Sequence, residues 1–146
     1  MKIFKILILA SALLLGRLSL AGDIKVNPYG MTLKGDLLTA EIATLEEKNA
    51  AGLNDVLIRF TGQDAAAAGI DGKVIRYETQ HGGTGIDFKY KDDGAEKNRM
   101  SSRNPWGDWS LYEVYLNGKT IKVHLDKKSS KTTKPAELLA AYQKAK

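Results

Sequence analysis

Residues 111–125 read LYEVYLNGKTIKVHL, and this stretch decides the fold class. Tyr112, Val114 and Leu116 alternate with Leu111, Glu113 and Tyr115; Ile121, Val123 and Leu125 alternate with Thr120, Lys122 and His124. A period of two is the mark of a half-buried strand. Asn117-Gly118, between the two runs, suits a type I′ turn, whose twist matches that of the strands it joins. Placing Leu116 opposite Lys119 puts Val114 opposite Ile121 and Tyr112 opposite Val123 on an apolar face. The other face then sets Glu113 against Lys122 and Leu111 against His124, so matched apolar pairs and an opposite-charge pair agree on one register.

Working outward, KVIRYETQHGGTGIDFKYK (residues 73–91) predicts a second hairpin with Ile75 and Tyr77 facing Ile86, Phe88 and Tyr90. Glu78 opposite Lys89 sets Tyr77 beside Tyr90 and leaves a six-residue loop from His81 to Ile86. The four-residue alternative opposes Glu78 to Asp87 and Arg76 to Lys89, and like charges directly opposite are disfavoured. DVLIRFTG (55–62) alternates as another strand, with IKV (24–26) and MTL (31–33) as short candidates. GDLLTAEIATLEEKNAAG (35–52) fits two patterns. Leu38, Ile42 and Leu45 share a helix face, whereas Thr39, Ile42 and Thr44 suit a strand, which the β-like flanks favour. In TTKPAELLAAYQKAK (132–146) a Pro opens a helix, Glu137 lies in its first turn and lysines lie in its last.

The expected fold is therefore mainly β: a small antiparallel β sandwich or open barrel with a C-terminal α-helix. The alternative is an α+β domain with an additional helix near residues 37–48. The β core spans residues 23–126, a polar linker 127–134 and the helix 135–145.

The first 21 residues have two lysines, an apolar run of about 11 residues and small residues at Ser19 and Ala21, which is the layout of a signal peptide cut after Ala21. A membrane-spanning helix needs about 20 apolar residues. The reading is thus an exported single domain, residues 22–146, periplasmic or secreted, with no transmembrane segment in the mature chain. The chain has no cysteine, which excludes disulfides, thiolate catalysis and Cys-based metal sites. Of 22 basic side chains, Lys2, Lys5 and Arg17 leave with the signal, so 19 face 17 acids. Between Lys119 and Lys146 there are eight lysines against Asp126 and Glu137.

Catalytic patterns are thin. His81 with Ser101 or Ser102 lacks a nucleophile-elbow context. HGGTG (81–85) runs on into a strand, whereas phosphate loops lead into a helix. Asp92-Asp93 lacks the spacing of a calcium loop. Nothing selects two catalytic acids from Glu46, Glu47, Asp92, Asp93 and Asp108.

KNRMSSRNPWGDW (97–109) is the stretch richest in binding chemistry. Asn104, Pro105 and Gly107 fit a type I turn that places Trp106 at an outward corner. Arg99, Arg103, Trp106, Asp108 and Trp109 are the candidate partner-binding residues, since Arg and Trp dominate interface hot spots and loops beside rigid hairpins carry function.

The expectation is a non-catalytic module that binds another protein of the envelope or exterior, of inhibitor, immunity or envelope-assembly type. It needs no cofactor or metal. Interleaved acids argue against nucleic acid. An electrostatic binder of anionic polymer or membrane surface, acting through the Lys-rich C-terminal segment, is the second reading. A hydrolase with unidentified acids is the third.

Overall fold

The computed structural model describes residues 23–83, 85–90, 98–103 and 110–146. Residues 1–22, read above as mostly signal peptide, the pair Asp92 and Asp93, and the NPWG stretch with Trp106, Asp108 and Trp109 lie outside the described residues. The strands are β1 (Met31–Lys34), β2 (Thr39–Lys48), β3 (Asn54–Thr61), β4 (Val74–Gly82), β5 (Gly85–Tyr90), β6 (Asn98–Arg103), β7 (Leu111–Leu116) and β8 (Lys119–Leu125). Three helices accompany them: α1 (Gln63–Ala67), α2 (Lys127–Ser130) and α3 (Pro135–Lys144).

Each strand pairs antiparallel with the next, and β8 returns to β1, so the eight described strands form a closed up-and-down barrel. Of the two expected architectures the barrel is the one adopted, and it closes through Leu33 opposite Leu125 and Lys34 opposite His124. Closure removes the unpaired edge that an open sheet presents to aggregation.

The hairpin of residues 111–125 has the expected register in full: Leu116 with Lys119, Val114 with Ile121, Glu113 with Lys122 and Leu111 with His124. Asn117 and Gly118 both take positive φ, 51° and 75°, as a type I′ turn requires. In the second hairpin Glu78 faces Lys89 and Tyr77 faces Tyr90. Pairing continues through His81 with Ile86 and Gly82 with Gly85, so the connection is shorter than the expected six residues. Close approach explains two of its glycines. A Cβ on Gly82 would run into the Asp87 carboxylate, and one on Gly85 into the Ser102 carbonyl.

An eight-stranded barrel is just wide enough for its own side chains to fill. Ile42, Ile58, Phe60, Tyr77, Met100 and Val123 are fully or almost fully buried and form the centre of one cluster. Outward positions carry the cross-strand pairs Glu41 with Arg59, Glu78 with Lys89 and Glu113 with Lys122. That polarity is the reverse of a lipid-facing barrel, which is apolar outside. No helix among the described residues is long and apolar enough to cross a membrane.

A second apolar cluster lies outside the barrel. Leu138 and Tyr142 of α3 pack on Ala43, Leu45 and Leu57, with Ile24, Val26 and Val74 at the margin. Residues 35–52 were ambiguous for this reason. Ile42 faces the barrel interior and Leu45 faces α3, so both faces of β2 are apolar and the period of two is blurred. The strand reading holds, and no helix forms at residues 37–48.

Two elements depart from expectation. Residues 127–130, read as polar linker, form α2, because Asp126 accepts the Ser129 N–H at 2.8 Å as an N-cap. Residues 98–103, read as the start of a loop, form β6, in which Met100 fills the interior between Phe88 and Val114. A third element had no sequence signal: α1, five residues long, packs against β3 and sets Ala65 into the interior cluster.

Candidate functional site

Helix α3 packs over β2, β3 and β4, α2 packs against β1, and α1 against β3. Among the described elements no helix packs extensively on β6 or β7, and the outward face of these strands carries Arg99 and Arg103. Both sit on β6, with Ser101 between them, because alternation turns Met100 and Ser102 inward.

Tyr115 of β7 organises the two arginines. Arg99 donates from Nη1 to the Tyr115 carbonyl at 3.1 Å. Arg103 donates from Nη2 to the Tyr115 hydroxyl at 2.8 Å and from Nε to Glu113 at 3.1 Å. The Tyr115 hydroxyl in turn donates to the same Glu113 oxygen at 3.1 Å, closing a three-membered ring of hydrogen bonds. The Glu113 hydrogen bond, opposed by desolvation and aided by Tyr115, holds the Arg103 guanidinium above its ordinary pKa.

This corrects one detail of the hairpin. Glu113 does face Lys122 in register, yet its carboxylate turns the other way to Arg103. Arg103 lies diagonally across from it on β6, within reach of a long side chain. The Arg103 side chain is 41% exposed and Glu113 23%, so one arm of the guanidinium remains open to solvent. The Arg99 Nε is buried with no hydrogen-bond partner among the described residues.

The groups weighed for catalysis go elsewhere. The Ser101 hydroxyl donates to Asp87 at 2.6 Å, and the Ser102 Oγ accepts the Ile86 N–H at 2.7 Å, so neither bonds to His81. His81 and His124 are exposed. Tyr112 meets the Met31 sulfur at 3.8 Å, and burial raises the pKa of its hydroxyl. Among the described residues no three His, Asp or Glu side chains converge as a metal site.

Sequence reasoning overlooked a second polar network. Asp55 is 2% exposed. It accepts Arg76 at 2.9 Å and the Asn49 amide at 2.8 Å. The same amide reaches the Thr79 carbonyl at 2.9 Å, while Asn49 Oδ1 takes the N–H groups of Ala51 and Leu53. This arrangement pins the β2–β3 turn to β4, and every polar atom it buries is directed at a partner inside the fold. It is bracing, whereas the Arg103 group faces solvent.

Of the five candidate binding residues the structure brings Arg99 and Arg103 together. Trp106, Asp108 and Trp109 lie outside the described residues. Glu113 and Tyr115 join the site, and their outward positions were legible from the hairpin alternation. Their partnership with the arginines depended on recognising β6. No protein-family model matches the chain, nor does any curated protein or solved structure.

Proposed function

We propose that this chain is an exported, non-catalytic protein-binding module of inhibitor, immunity or envelope-assembly type. Its partner is another protein of the envelope or exterior. The observation that supports this most is Arg103, held by Glu113 and Tyr115 on a strand face where no described helix packs extensively, at the end of β6 where the NPWG segment begins. An Arg already fixed by two partners loses little rotamer freedom on binding, so its free arm is prepared for an acidic group. The barrel behind it is closed and packed, which keeps this geometry rigid. In this reading Arg103 pairs with a partner carboxylate while Trp106 enters an adjacent pocket, and the action is occlusion or docking.

The experiment is affinity capture from envelope and secreted fractions with the mature chain, Arg103→Ala and Trp106→Ala, each confirmed folded by circular dichroism. The expected result is one partner recovered by the wild type and reduced about tenfold or more by each change. Equal recovery of every captured protein by all three would overturn the proposal.

A further inference from the structure

Closure of the barrel gathers basic residues that are distant in sequence. Lys34 of β1 lies beside His124 of β8, and Lys122 shares that outward face. Helix α2 is fastened against the same seam: the Thr32 N–H donates to the Ser130 Oγ at 2.9 Å, and the Thr32 and Thr133 hydroxyls meet at 2.5 Å. That docking adds Lys127, Lys128 and Lys131, all exposed. Lys34 is paired with Asp126. Among the described residues no ion pair occupies Lys122, Lys127, Lys128 or Lys131.

Exposed apolar side chains mark the same seam. Among the described residues the large apolar side chains left exposed are Tyr29, at 84%, and Leu37, at 48%, which sit just before and just after β1. Tyr29 shares a shallow groove of about 240 Å³ with Ser130, Lys131 and Thr133. A phenol beside unpaired lysines suits the boundary between lipid headgroups and acyl chains, where an amphipathic ring settles and cations meet acidic lipids.

We propose that the seam face, built on β1, β8 and α2, docks on an anionic lipid bilayer, with Tyr29 and Leu37 as apolar contacts. A soluble polyanion would use the lysines alone; the two apolar side chains at the ends of the seam strand favour the bilayer. The face uses neither Arg99 nor Arg103 and stands independently of the protein-binding reading. It also narrows the charge within the Lys-rich C-terminal segment: the lysines that matter are Lys122 on β8 and Lys127, Lys128 and Lys131 on and just after α2, and those of α3 are not needed.

The test is co-sedimentation of the mature chain with vesicles of mixed phosphatidylglycerol and phosphatidylcholine, with phosphatidylcholine alone, and with immobilised polyphosphate. The expected result is binding to the mixed vesicles only, falling steeply with salt. The triple change Lys127→Glu, Lys128→Glu, Lys131→Glu should weaken it by more than about a hundredfold. Tyr29→Ala should weaken vesicle binding about fivefold. All four side chains are exposed, so the variants should melt as the wild type does. Absence of binding to mixed vesicles overturns the proposal. So does vesicle binding indifferent to Tyr29→Ala and Leu37→Ala with equal retention on polyphosphate, which would reassign the face to a soluble polyanion.

Discussion

Single residues in this chain divide by where their polar atoms point. Asp55 is almost completely buried, and its charge is answered by Arg76. Removing one member of a buried ion pair leaves the other desolvated and unpaired, a cost of about 3–5 kcal/mol. Arg76→Met should therefore lower the free energy of unfolding by about that amount in urea titration, and the double variant Arg76→Met, Asp55→Asn by less than the sum of the singles. Additivity of the two changes would show that the pair acts as two independent surface groups. Arg103 and Glu113 are a different case. They are similarly connected, yet solvent reaches them, and their pairing contributes about 1 kcal/mol or less to stability. A group arranged this carefully for so little stability is free to serve another molecule. Neither pairing was visible in the sequence, because each joins residues that only strand register makes neighbours: Arg103 needed β6, and Asp55 needed the pairing of β3 with β4.

At the scale of elements, what could be read depended on how many faces of each strand are buried. β7 and β8 keep one wet face, so alternation alone placed every pair. β2 is covered inside by the barrel core and outside by α3, and its pattern was equally open to a helix. β6 failed for the opposite reason: NRMSSR offers a single large apolar residue, Met100, too little for a period of two to register. Helix α2 depends on its cap. The Ser129 N–H, and then Lys34, hold the Asp126 carboxyl below the ordinary Asp range. A depressed folded pKa means that this stabilisation is present above the unfolded value and is lost as pH falls through the folded one. In thermal melts the margin of the wild type over Asp126→Asn should be constant near neutrality and vanish on acidification below about pH 3.9. A margin that persists in acid would show that the cap does not depend on the charge.

For the whole molecule the weak place is the seam. β1 and β8 share only the pairs Leu33 with Leu125 and Lys34 with His124, whereas β2 and β3 are paired from Thr39 with Thr61 to Lys48 with Asn54. Local opening follows the density of such contacts. Amides of β1 and the end of β8 should exchange with deuterium well before those at the centres of β2 and β3, as read by mass spectrometry of proteolytic fragments. Uniform protection around the barrel would mean that α2, fastened over the seam, makes closure as strong as any hairpin. The β class and the C-terminal helix were readable in the chain because they rest on local alternation and capping. Closure was not, since it joins residues about ninety apart through two pairs.

The outer cluster has a mechanical side. Ile24 and Val26, near the start of the described residues, touch the same apolar patch as Leu138 and Tyr142 of α3. The N-terminal segment is also tied to β2, through the Asn27 N–H to the Thr44 carbonyl and the Glu46 N–H to the Lys25 carbonyl. Tension applied between the two ends of the domain thus falls first on this clasp and on the strands β2 and β3 beneath it.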